Sequence, residues 1–91
     1  MAAIFLVNDD ERQCAQIRGA IAAIGGHHIV SESRTGQEAL FMVAASRAEV
    51  AFVRVNLPDM SGIDLVTELS QRKPALQFVL TLEGDERPDV W

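Results

Sequence analysis

Asn8, Asp9, Asp10 and Glu11 form a polar cluster that follows directly on the apolar run Ile4 to Val7. Neighbouring carboxylates such as Asp9 and Asp10 repel each other and favour a neutralising partner, and a planar guanidinium with five donors is the best side chain for that task. Other reactive residue types lack the company their chemistry needs. His27 and His28 are the only histidines, and adjacent residues of a strand point to opposite faces, so a loop between helix and strand suits them better than a metal site. Ser61, Thr67 and Ser70 occur without a G-x-S-x-G elbow or a histidine placed as base, which assigns them to capping and surface roles. Asp59 follows Pro58 and suits turn formation and helix capping, with phosphate acceptance as the other reading.

These residues need elements to position them. Ile4 to Val7 reads as a strand buried on both faces. From Glu11 the period changes: Cys14, Ile17, Ile21 and Ile24 recur at three and four residues, which predicts an amphipathic helix capped by Asp9 or Asp10 and ended by Gly25 and Gly26. His27 to Ser33 predicts a short second strand. Thr35 then precedes a helix with Ala39, Leu40, Val43 and Ala44 on one side. Val50 to Val55, interrupted only by Arg54, predicts a third strand that opens into the turn Asn56 to Asp59. Leu65, Val66 and Leu69 mark a third helix that ends at Lys73 and Pro74, and Leu76 to Leu82 supplies a fourth strand. Phe5, Phe41, Phe52 and Phe78 fall at core or partly buried positions. The alternation β-α-β-α-β-α-β implies a parallel sheet with right-handed crossovers and functional loops at the carboxyl ends of its strands.

Composition narrows the functional classes. Ninety-one residues make one domain, and a chain of this mass hides about 64% of its unfolded surface, enough for one core with little spare. With 48% hydrophobic and 23% charged residues, the chain is too apolar to remain disordered. A net charge of -5, with eight basic residues mostly scattered singly, provides no footprint for direct binding of nucleic acid or an anionic membrane. The run at the N-terminus is too short to span a bilayer and lacks the flanks of a signal peptide. Cys14, the single cysteine, makes no internal disulfide and suits a small buried hydrophobe in a reducing, cytoplasmic setting.

Three stretches resemble the receiver domain of two-component response regulators, across nearly the whole chain. FLVNDDE (Phe5 to Glu11) is similar to the family's first strand and acidic pair, SESRTGQEAL (Ser31 to Leu40) to its second strand and helix entry, and VRVNLPDMSGIDL (Val53 to Leu65) to its phosphorylation loop. The resemblance implies a flavodoxin-like, CheY-like three-layer α/β fold with a parallel sheet in the order 2-1-3-4. In the family an aspartate ends the third strand, a residue two further on offers its carbonyl to Mg²⁺, a proline sits four on and a glycine eight on. Asn56, Pro58 and Gly62 stand at those offsets from Arg54, so Arg54 occupies the phosphoacceptor position.

Arginine supplies neither the nucleophilic oxygen nor the tolerance of a divalent ion that phosphoryl transfer to a carboxylate requires. Arg54 is expected to pair with Asp9 or Asp10 in place of the metal, or else to extend into solvent from the strand end. Mg²⁺ binding is therefore expected to be lost, with no other cofactor and no catalysis implied. Thr81 matches the family's switch hydroxyl, whereas Leu82 stands where a small residue admits the phosphoryl group. The family's lysine, at the end of a fifth strand, has no counterpart, since Lys73 is the only lysine and precedes the fourth strand.

The pattern stops after its fourth strand, so residues 1–91 read as one shortened receiver-like domain without the fifth strand and last helix, with 83–91 a tail or partial helix. A bare fourth strand is a template for pairing with another chain. Leu76, Phe78, Leu80 and Leu82, with Val90 and Trp91 of the tail, are the expected interface of a homodimer, and a histidine kinase or regulator is the other class of partner. The sequence thus points to a phosphorylation-independent signalling module. The alternatives are a phosphoacceptor that uses Asp9, Asp10 or Asp59, and an N-terminal piece of a longer transcriptional regulator.

Overall fold

A computed structural model describes residues 2–82. Four strands alternate with three helices: β1 (Ala3–Val7), α1 (Glu11–Ile24), β2 (His28–Ser33), α2 (Gly36–Met42), β3 (Val50–Arg54), α3 (Gly62–Arg72) and β4 (Gln77–Thr81). One sheet joins the strands in the order β2-β1-β3-β4, with every pairing parallel. This is the flavodoxin-like order expected from the motifs. Among the described residues no helix is long and apolar enough to cross a membrane.

β1 lies between two neighbours and is covered on both faces, which is why all five of its residues are buried. Phe5 and Val7 point to the face where Ala51 and Val53 of β3 meet Ala39 of α2 and Leu65 and Leu69 of α3. Alternation sends Ile4 and Leu6 to the other face, toward α1, whose buried side chains are Cys14 and Ile21. β3 keeps Val50, Phe52 and Arg54 half-buried, and β4 at the sheet edge exposes Gln77, Val79 and Leu80.

Each helix has a chemical start signal. Asp10 caps α1, Thr35 caps α2 and Ser61 caps α3, each through a side-chain oxygen that accepts a backbone N–H of the first turn. Gly25, with φ 77°, ends α1 in a conformation that side chains with a Cβ rarely adopt.

Local patterning misplaced three features. Ile24 lies at the last position of α1 and is 72% exposed, because the helix there has run past its buried turns. Phe41, expected in or near the core, is 86% exposed. α2 buries its Gly36 and Ala39 face, Val43 continues that face in the 3₁₀ turn that follows at Val43–Ala45, and Phe41, two residues from Ala39 and so on the opposite side of the helix, is left outside. Leu76, expected at the edge interface, belongs to the core instead, at 8% exposure just ahead of β4.

Candidate functional site

Parallel register brings distant residues to one rim of the sheet. Val7 pairs with Val53 and Arg54 pairs with Thr81, so the carboxyl ends of β1, β3 and β4 carry Asp9, Arg54 and Thr81 together. The guanidinium Nη1 of Arg54 donates to Oδ1 of Asp9 at 2.8 Å. The Arg54 side chain is 14% exposed and that of Asp9 34%, so the pair is partly withdrawn from water and less screened than a surface bridge.

Asp10 turns the other way. Its Oδ1 accepts the backbone N–H groups of Arg12 at 3.0 Å and Gln13 at 3.2 Å, which commits this carboxylate to the start of α1. Asn8, read from the sequence only as a member of the polar cluster, and Gln13, which sequence reasoning passed over, complete the corner. Asn8 is buried, accepts the Asp10 N–H through Oδ1 at 2.8 Å, and donates through Nδ2 to Gln13 Oε1. Gln13 Nε2 then donates to the carbonyl of Leu82 at 2.8 Å, so a polar chain links β1, α1 and the exit of β4. The available signal was a polar residue directly continuing a buried apolar run. The thiol of Cys14 donates to the Asn8 carbonyl at 3.5 Å, and burial pushes its pKa up.

The loop after β3 is held by close backbone approach. Gly62 N–H donates to the Val55 carbonyl at 2.8 Å, and a Cβ at Gly62 would stand 2.1 Å from the Arg54 carbonyl oxygen. Asn56 bridges antiparallel to Ser61, which closes the turn. Thr81 accepts the Val55 N–H through its backbone carbonyl at 2.9 Å, while its buried hydroxyl has no hydrogen-bond partner among the described residues.

Asp59 sits in the same loop but faces α2. Its Oδ1 accepts the N–H of Gly36 at 2.8 Å and its Oδ2 that of Gln37 at 2.9 Å, and these bonds hold its carboxyl below the usual range. Met60 packs on Gly36 so closely that a Cβ there would overlap the Met60 sulfur. His27 accepts the Ala2 N–H through Nδ1, and no cluster of three or more His, Cys, Asp or Glu that could hold a metal ion occurs among the described residues. Of the expected interface, Phe78 and Leu82 are half-buried and Leu80 is 42% exposed, while Val90 and Trp91 lie outside the described residues.

Comparison with known proteins gives a single answer. Residues 4–90 match the response regulator receiver domain. The chain is 35% identical over 83 residues to the DNA-binding transcriptional activator DevR/DosR of Mycobacterium tuberculosis, covering 88% of this chain and 37% of that protein. It is 29% identical over 85 residues to a protein-glutamate methylesterase/protein-glutamine glutaminase of Haloarcula marismortui, covering 93% of this chain and 23% of that protein. The chain therefore spans well under half the length of these relatives. The solved structure of the MaeR response regulator bound to beryllium trifluoride superposes with a TM-score of 0.83 at 26% identity, over 94% of this chain and 70% of that one. A sheet in the order β2-β1-β3-β4, an acidic corner after β1 and this match across residues 4–90 together place the chain in the response regulator receiver domain family.

Proposed function

We propose that this chain is an atypical receiver whose acidic corner is closed to phosphoryl transfer and which signals by binding other proteins. The observation that carries the reading is the 2.8 Å ion pair between Arg54 and Asp9, at the position where the family motif places its phosphoacceptor. A guanidinium has no acceptor lone pair, stays charged at every pH a protein survives, and cannot attack phosphorus. The residues present do not suit Mg²⁺ either. Asp9 is ion-paired, Asp10 is committed to backbone amides, and a fixed positive charge stands where a divalent ion would need to approach. Asp59, the other candidate acceptor, has both oxygens occupied by α2 amides.

Incubation with acetyl phosphate and Mg²⁺, followed by intact-mass measurement, tests this. The expected result is an unchanged mass. A gain of one phosphoryl group overturns the reading and restores a phosphoacceptor that uses Asp9, Asp10 or Asp59.

A histidine kinase or another regulator is the partner class in keeping with receiver domains. A second copy of the chain is also proposed, because β4 pairs only with β3 among the described residues and leaves Val79 and Leu80 exposed at 43% and 42%. The share of each curated relative that the chain covers favours a further reading, in which these residues are the receiver portion of a longer transcriptional regulator. The genomic reading frame around the sequence decides that point.

A further inference from the structure

The basic residues are neutralised unevenly. Arg18 binds Glu11 and Glu32, Arg34 binds Glu11, and Arg54 binds Asp9, all at 3.1 Å or less. At the amino-terminal end of the sheet, Arg47, Arg72 and Lys73 instead line a cavity of about 660 Å³ with much weaker compensation. Arg72 reaches Glu68 only at 3.9 Å. Lys73 Nζ donates to the Ser46 carbonyl at 3.4 Å. Glu49, the one carboxylate in the lining, accepts the Ala3 N–H through Oε1 at 3.0 Å. Arg47 has no hydrogen bond or ion pair with any described residue.

The fold sets this concentration of charge. The loop that precedes β3 is tied to the start of β1, where Glu49 N–H donates to the Ala3 carbonyl at 2.8 Å, and to the start of β4, where Gln77 N–H donates to the Glu49 carbonyl at 3.0 Å. Arg72 and Lys73 stand at the end of α3, where cations complement the helix carbonyls, and that accounts for two of the three. The third, Arg47, follows the Ser46 cap that ends the 3₁₀ turn at Val43–Ala45 and pairs with no carboxylate of the described residues there. Val50, Pro74 and Leu76 add apolar lining, and the volume lies within the usual range for small-molecule sites. Val50 and Arg54 mark opposite ends of β3, about 13 Å apart at the rise of a strand, so the cavity is separate from the acidic corner.

We infer that this cavity binds a phosphate-bearing small molecule, with its phosphates on Arg47, Arg72 and Lys73 and any ring against the apolar lining. Three cations facing one occupied carboxylate, in a chain of net charge -5, are the donor set that a polyanion uses most fully. Guanidinium forks match phosphate oxygens in pairs, and lysine adds a point charge.

Titration of the ¹⁵N-labelled chain with ATP, and separately with inorganic pyrophosphate, both without divalent ions, tests the inference. Saturable shifts are expected at amides of residues 46–50 and 72–77. Arg47→Glu should weaken binding at least about tenfold while spectral dispersion shows an intact fold, and Lys73→Gln should weaken it less. Tighter binding of ATP than of pyrophosphate places a ring on the apolar lining, and equal binding assigns the site to phosphate alone; both outcomes support it. No shifts at millimolar ligand, shifts centred on α1, or unchanged affinity in Arg47→Glu overturn it.

Discussion

Asp59 accepts the Gly36 and Gln37 amides with its two carboxylate oxygens, and so caps a helix that begins 23 residues earlier in the chain. These bonds favour the ionised form and lower its pKa, which couples the start of α2 to pH. The contribution is fully present above the ordinary carboxylate range and is lost as pH falls through the lowered folded value. Asp59→Asn replaces one acceptor by a donor that faces an amide. Urea unfolding should show the variant less stable at neutral pH, with a smaller loss on acidification than the parent; equal pH slopes would contradict the cap. The Arg54–Asp9 pair makes a different demand. Removing its cation in Arg54→Ala leaves Asp9 partly buried without its partner, at a cost of about 1–2 kcal/mol in chemical denaturation.

At the scale of elements, the junction of β3 and α3 tolerates the least change. Gly62 is the first residue of α3 and its Cα faces the Arg54 carbonyl, so a methyl at 2.1 Å has no room unless backbone moves. Gly62→Ala should destabilise the chain by about 3 kcal/mol or more and disturb the end of β3, read as a lowered urea midpoint and shifted amide signals at residues 53–56. Phe41 on α2 provides the contrast. At 86% exposure its loss should change stability by only about 0.5 kcal/mol in either direction, whereas Leu69→Ala in α3 empties a fully buried position and should cost about 2–5 kcal/mol. Phe41→Ser therefore tests whether that ring lies outside the core.

For the whole molecule, β4 has one neighbour among the described residues and presents Val79 and Leu80 to solvent. An exposed apolar edge invites a second strand, and a lysine there discourages one. Sedimentation at micromolar concentration should show a dimer for the parent chain and a shift toward monomer for Val79→Lys or Leu80→Lys. A monomeric parent removes the dimer and leaves the Arg54–Asp9 pair untouched, since Arg54 and Asp9 are held by β3 and the β1 exit rather than by the edge.

The amino-acid sequence by itself determined the order of strands and helices, because periods of two and of three to four residues are local properties that survive without tertiary context. Through motif offsets it also singled out Arg54, Asn56 and Gly62, and it placed the acidic pair at the end of β1. Tertiary structure decided which carboxylate Arg54 takes. Asp10 was equally available by type, but its position at the start of α1 commits it to backbone amides and leaves Asp9 facing β3. That the helix capped by Asp59 is α2, and that Asn8, Gln13 and Leu82 form one chain, were likewise not legible in advance. Each depends on how separate elements meet in space, through register and helix approach, and the spacing of residues along the chain carries no record of those distances.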